Sequence, residues 1–343
     1  MKALVMTAYG RLEYLDVAAP EIGPGDVLVR VKACGICGSD VHGLGGSTGR
    51  RLPPVIMGHE ASGLIAATGS EVRGLLAGAR VAFDPNIFCG ACYFCRRGKP
   101  NICDQRRYLG VSCAEFRMDG AFAEYVALPQ RVIYPIPDAV SFEQAALLEP
   151  LSVVVHAVGR LAPQLGDRAL VIGAGAIGLF TVQVLRLAGC ERIMVTDLDP
   201  GRLELARQLG ADETIAADPP GVVEAVLRQT DGRGADVVVD AVGTATTVGL
   251  AVECARRAGS VGLTGNLSPA AELPLQRVVM RELTVRGSCY SSSEYPASLA
   301  LLAQGRIDVN RLISAVVPLS EAGAWFAKLK GGRSGLLKVV VTP

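Results

Sequence analysis

An excess of charge of either sign is missing from this chain. Its residues carry 34 Lys+Arg against 33 Asp+Glu, a net charge of +1. With no basic surplus to neutralise phosphates, a nucleic-acid partner is not expected. Aromatic residues are scarce at 5%, with a single Trp, which leaves little for a stacking surface. No apolar run is long enough to cross a bilayer. The best candidate lies between Arg168 and Arg186 and has 17 residues, whereas a spanning helix needs about 20. That run also contains Gly173, Gly175, Gly178, Thr181 and Gln183. The start of the chain, Met1-Lys2 and then Ala3–Met6, lacks the apolar region and cleavage site of a secretory leader. A cytoplasmic protein without membrane partners is the expectation. Ten cysteines are too few for a disulfide scaffold in 343 residues, and only three histidines are present, His42, His59 and His156. A chain that is 50% hydrophobic and 20% charged is not generally disordered.

The texture changes along the chain. Up to about residue 150 it reads as strands and loops, as in DVLVRVKACGIC, HEASGLIAATG and GARVAFDP. Apolar runs then alternate with helical stretches: RALVIGAG, Ala176–Ala188, RIMVTD, Pro200–Leu209, Gly221–Gln229, ADVVVDAVG, Ala245–Arg257, GSVGLTG and LTVRGSCY. Such alternation implies βαβ units around a parallel sheet. After about Tyr290 the character is mixed again, ending in LLKVVVTP. The predicted fold class is α/β. A β-rich domain of residues 1–151 and 291–343 is interrupted by a doubly wound domain of residues 152–290.

Three groups of residues carry chemistry. In VIGAGAIG, Gly173, Gly175 and Gly178 stand in G-x-G-x-x-G register, after a strand and at the start of a helix. That arrangement brings a pyrophosphate to a helix N-terminus. Asp197 ends the second strand, 19 residues after Gly178. A carboxylate there can accept hydrogen bonds from both ribose hydroxyls of NAD and repels a 2′-phosphate. Ala176, Ile177 and Arg202 complete the predicted NAD contacts. The competing reading is a glycine-rich turn with Asp197 as a helix cap. Cys89, Cys92, Cys95 and Cys103 fall within fifteen residues. Four thiolates fill a tetrahedral zinc completely, so such a zinc is structural. Two disulfides or an iron–sulfur cluster are the rival readings. Lastly, Cys37, His59, Glu60 and Glu149 are the ligand types of a zinc with an open position. They lie too far apart in sequence to be joined on spacing alone, and His156 reads as an ordinary residue of an apolar helix.

CGICGSDVH, MGHEASG, the four-cysteine loop, DGAFAEY, EPLSVVVHA and VIGAGAIGL follow one another in order. Over essentially its whole length the chain resembles the zinc-containing medium-chain dehydrogenases, most of all their polyol (sorbitol-type), diol or threonine dehydrogenase branch. The resemblance implies a GroES-like β-rich catalytic domain, a Rossmann NAD-binding domain and an active site in the cleft between them. It implies two zincs per chain, one structural and one catalytic. Cys37 and His59 would ligate the catalytic zinc, Glu60 directly or intermittently, and Glu149 directly or through water. Ser39 would hydrogen-bond the substrate hydroxyl, His42 would pass its proton to solvent, and Asp40 would orient His59. The implied reaction is NAD-linked oxidation of a secondary alcohol to a ketone, the substrate being a polyol, sugar alcohol or vicinal diol. L-threonine 3-dehydrogenase or simple alcohol dehydrogenase activity is the alternative, and a non-catalytic protein that keeps the fold is a further one. A homo-oligomer, a tetramer by analogy, is also implied. One departure stands out. Where sorbitol dehydrogenases carry an Arg-Tyr pair, this chain has Tyr290 and Ser291.

Overall fold

The computed structural model describes residues 1–343 apart from 48, 114–116 and 332–334 and the side chain at 219. Two compact units make up the chain: Met1–Ser152 with Ser292–Pro343, and Val153–Ser291.

The first unit opens with a hairpin of β1 (Lys2–Ala8) and β2 (Arg11–Asp16). Next come β3 (Asp26–Gly35), α1 (Gly38–Leu44), β4 (Val55–Ile56), β5 (Glu60–Thr68) and β6 (Arg80–Phe83). A two-stranded ribbon, β7 (Asn86–Ile87) and β8 (Arg107–Tyr108), encloses a short α2 (Tyr93–Arg96). The segment ends with β9 (Tyr125–Pro129), β10 (Ile133–Pro135), α3 (Phe142–Ala146) and α4 (Leu148–Leu161), the last running across the unit boundary. Val27, Val29, Val31 and Ala33 of β3 are at most 2% exposed, which is the inward face of an alternating strand.

The second unit holds β11 (Arg168–Ile172), α5 (Ala176–Leu187), β12 (Arg192–Asp197), α6 (Pro200–Gln208), β13 (Glu213–Ala216) and α7 (Pro219–Gln229). It continues with β14 (Ala235–Asp240), α8 (Ala245–Cys254), β15 (Ala255–Leu263), α9 (Leu275–Met280) and β16 (Thr284–Gly287). Its six strands are parallel in the order β13-β12-β11-β14-β15-β16. Counted from β11 this is 3-2-1-4-5-6, the doubly wound order. Ala169, Leu170 and Val171 of β11 are fully buried in succession, because helices cover both faces of such a sheet. The apolar run 169–185 is thus one strand plus one helix, and among the described residues no helix is long and apolar enough to cross a membrane.

Two helix limits differ by more than one residue from those expected. α7 starts at Pro219, two residues early, and α8 stops at Cys254 instead of Arg257. Thr244 and Thr247 close a reciprocal cap at the start of α8. At its end Ala255 turns extended (φ −73°, ψ 136°) and joins the sheet opposite Ala235. Sheet pairing by Ala255 overrides the helix propensity of ECARR.

The chain then returns to the first unit with α10 (Tyr295–Ala303), β17 (Ile313–Pro318), α11 (Ala322–Lys330) and β18 (Lys338–Thr342). β18 pairs with β3, completing the sheet β10-β6-β5-β3-β18-β17 with β9 also on β3. Residues from both ends of the sequence therefore share one sheet.

Candidate active site

The register of β3 against β5 brings the first donors together. Gly35 lies opposite Glu60 in this antiparallel pair. Cys37 follows two residues after Gly35, and His59 immediately precedes Glu60. Ligand atoms of Cys37, His59 and Glu60 lie within 4.8 Å of one another. His59 and Glu60 are buried and Cys37 is half-buried.

Around these donors the chain builds a fixed frame. Asp40, fully buried on α1, accepts a 3.3 Å hydrogen bond from the Cys37 backbone N–H and a 2.8 Å one from Arg51. The same Asp40 oxygen lies 3.5 Å from His59 Nδ1. Burial alone would push the Asp40 carboxyl up, but His59 and Arg51 together hold it below the usual carboxylate range. Glu60 is fully buried and its Oε1 accepts from Lys338 Nζ. A Cβ on Gly35 would come within 2.4 Å of Glu60 Oε2, so only glycine leaves room for this carboxylate. Arg51 and Lys338 have no signature in the sequence as site residues. Each is recognisable only from the acid it neutralises.

Glu149, in the first turn of α4, is not in the three-residue donor group. Its Oε1 accepts a 2.9 Å hydrogen bond from the Tyr108 hydroxyl. Burial pushes its pKa up to about 7, with Glu60 adding and His59 and Tyr108 opposing. Ser39 and His42 are exposed on α1, three residues apart and so on one face of the helix. Ser39 Oγ accepts a 3.4 Å hydrogen bond from Arg51.

The four cysteines of the loop also converge, with their sulfurs within 4.8 Å. Cys92 Sγ and Cys103 Sγ are 3.8 Å apart. A tetrahedron with bonds of about 2.3 Å has an edge of about 3.8 Å, whereas a disulfide is about 2.05 Å. Backbone N–H groups of Cys89 and Gln105 point at Cys103 Sγ, and those of Ala91 and Cys92 at Cys89 Sγ, at 3.3–3.4 Å. Backbone N–H groups of Cys95 and Asp104 lower the Cys92 thiol to about 6. Such donors stabilise thiolates, the form that binds metal. The spacing and the donors fit zinc. At the other centre, His59 turns Nδ1 toward Asp40, and Glu60 Oε2 is buried with no hydrogen-bond partner among the described residues. A Cys, His and carboxylate set of that kind also fits zinc.

In the second unit, Gly173 (φ +93°) turns the chain out of β11. A Cβ on Gly178 would lie 1.7 Å from Gly173 O, so the close approach of α5 to that turn requires glycine. Gly175 is the N-cap of α5 and offers no side-chain cap, and a Cβ there would meet nothing within 4 Å. The first turn of α5, with Ala176 and Ile177, therefore presents free N–H groups to an open space, which fits a pyrophosphate. Asp197 accepts from Ala174 N–H at 2.6 Å and from Asp199 N–H at 2.9 Å. The cap of α6 is Asp199, which accepts from Gly201 and Arg202 N–H. Asp197 is thus fixed beside the glycine turn without capping a helix. Arg202 Nε is buried with no hydrogen-bond partner among the described residues. Tyr290 takes φ +54°, strained for a bulky residue.

Residues 23–138 match the model of the alcohol dehydrogenase GroES-like domain, and 176–304 that of zinc-binding dehydrogenases. The chain belongs to the zinc-binding dehydrogenase family. It is an oxidoreductase that uses zinc and a nicotinamide dinucleotide, with the GroES-like and Rossmann architecture of that family. Sorbitol dehydrogenase of Bacillus subtilis is 34% identical over 348 residues, covering 100% of this chain and 97% of that one. D-xylulose reductase A of Aspergillus oryzae is 34% identical over 342 residues, covering 96% and 94%. A zinc-binding dehydrogenase from Sinorhizobium meliloti 1021, solved bound to NADP, superposes with a TM-score of 0.91 at 35% identity, covering 100% and 99%.

Proposed function

We propose that this dehydrogenase oxidises a secondary alcohol bearing a neighbouring hydroxyl, a polyol, sugar alcohol or vicinal diol, to the ketone. The observation that carries this reading is the convergence of Cys37, His59 and Glu60, with a buried Glu149 influenced by the charges of both His59 and Glu60. Cys37 and His59 would hold the catalytic zinc, with Glu60 as third or intermittent ligand. Zinc bound there supplies Lewis-acid polarisation of an alcohol oxygen, lowering the pKa of its hydroxyl. The nicotinamide supplies the hydride acceptor. Asp40 keeps His59 oriented, and its own charge is balanced by Arg51. Ser39 would take the hydroxyl proton and His42, one turn further along the exposed face of α1, would release it to solvent. Glu149 would accept a hydrogen bond from the second hydroxyl. Cys89, Cys92, Cys95 and Cys103 would hold a second, structural zinc.

A hydrogen bond to a charged group contributes about 1.5–3 kcal/mol, or about ten- to a hundredfold in kcat/KM. Kinetics on a vicinal diol or hexitol should exceed those on ethanol and 1-butanol by that factor. A primary alcohol that matches the best polyol would overturn the reading in favour of a simple alcohol dehydrogenase.

Asp197 supports NAD as the preferred cofactor. Its carboxylate is held beside the glycine turn, and a 2′-phosphate meeting it would add a second negative charge. Although the Sinorhizobium relative was solved with NADP, kcat/KM here should favour NAD by at least about tenfold, the worth of one charged hydrogen bond. Asp197→Ala should narrow that preference. Equal or better kinetics with NADP would reverse the assignment. A homo-oligomer, a tetramer by family analogy, is supported by β16 at the edge of its sheet and by Leu275, Val279 and Met280, each at least 66% exposed. The clustering of Cys89, Cys92, Cys95 and Cys103 as metal-ligand types supports a reducing cytoplasm.

A further inference from the structure

The two thiol-bearing centres are linked through one side chain. The ribbon β7–β8 brackets the four-cysteine lobe, with Asn86 opposite Tyr108 and Ile87 opposite Arg107. Asn86 Nδ2 also donates to Pro100 O at 3.1 Å, tying the ribbon to the inner turn of the lobe. Two residues per strand are too few to hold a ribbon by themselves, so the Pro100 tether and closure of the lobe add to the Leu109 N–H bond to Pro85 O and the burial of Ile87 and Leu109 in seating Tyr108. Tyr108 is 4% exposed and faces the other centre. Its ring centroid lies 5.7 Å from that of His59, and its hydroxyl donates to Glu149 Oε1.

We infer that Tyr108 is a positioning residue through which the four-cysteine lobe sets the orientation of Glu149 and the packing of His59. The inference rests on the proposed reading that the lobe holds zinc and that Glu149 meets the substrate. Without metal the four thiols have no common partner, the lobe opens, and the ribbon loses the closure that seats Tyr108. Glu149 then keeps its burial but loses its donor, so its second oxygen is no longer aimed. A phenylalanine at 108 would fill the same space beside His59 and lack the donor.

Fluorine NMR of the holoenzyme labelled with 3-fluorotyrosine tests this without relying on turnover. The resonance missing in Tyr108→Phe identifies residue 108, and Glu149→Gln should shift it. Cys95→Ser, which opens the lobe, should shift or broaden the same resonance. Asn86→Ala, which cuts only the tether to Pro100, should do so as well and serves if Cys95→Ser does not fold. In kinetics, Tyr108→Phe should cost about tenfold more on a vicinal diol than on a simple secondary alcohol. Adding Cys95→Ser or Asn86→Ala to Tyr108→Phe should not widen that gap further. A Tyr108 resonance unmoved by both lobe variants overturns the inference. If the parent enzyme shows no preference for vicinal diols, the assignment of Glu149 to the substrate fails, and the fluorine shift alone decides the coupling.

Discussion

Cys37→Ser should lower kcat/KM by about a thousandfold or more and leave the fold intact. Zinc polarisation of an alcohol oxygen is worth several kcal/mol, and each 1.4 kcal/mol is tenfold in rate. The variant leaves His59 and Glu60 where the pairing of Gly35 with Glu60 puts them, but removes the one thiolate of the set. Serine is itself a favoured N-cap, and Cys37 is the N-cap of α1, so the local helix should survive. Elemental analysis should find two zincs per chain in the parent and about one in Cys37→Ser, with melting temperature little changed. Cys95→Ser should give the complementary result, a lowered melting temperature together with loss of the other zinc. A Cys37→Ser protein that keeps both metals and full turnover would remove Cys37 from the catalytic centre.

Lys338→Met should destabilise the enzyme by about 3–5 kcal/mol, the cost of removing one partner of a buried ion pair. Glu60 has no exposure to water, and Lys338 is 4% exposed. Lys338 holds one oxygen of Glu60 and the side-chain-free Gly35 lies beside the other, so losing the cation leaves the carboxylate buried without its partner. Adding Glu60→Gln should recover most of the loss, because it removes the uncompensated charge. The sign with pH follows from the lysine. Burial alone would lower its pKa, but Glu60 more than offsets this and raises it. The stabilisation is therefore fully present below the unfolded lysine value of about 10.4 and is lost as pH rises beyond it. Urea unfolding at pH 7 decides the matter: a loss under about 1 kcal/mol in Lys338→Met would show that other groups compensate Glu60.

What could be read from the residues alone depended on distance along the chain. The glycine turn, its strand and Asp197 lie within about thirty residues, and Gly173 and Gly178 have local steric reasons. The parallel sheet was legible because strands buried on both faces are continuously apolar, as Ala169–Ile172 are. The four cysteines are equally local. Cys37 and His59 are joined only by the register of two strands, which no spacing rule reveals, so resemblance to a family had to join them. Tyr108 and Glu149 meet across 41 residues, and Lys338 meets Glu60 across 278. A lysine ahead of three valines reads as the exposed start of a strand, yet it is buried because a carboxylate waits for it. The end of α8 was misread for a related reason, since Ala255 obeys its partner strand and not its own neighbours.

That separation of Glu60 and Lys338 has a meaning in time as well as in space. A ribosome adds about 5–20 residues per second, so Glu60 is made about 15–55 s before Lys338. All of Val153–Ser291 is made in the interval. Until then β3 lacks β18 on one side, and the acid that Lys338 will neutralise must stay with water. The second unit is continuous and can finish first. The sheet that pairs Gly35 with Glu60, although begun earlier, is the last to close.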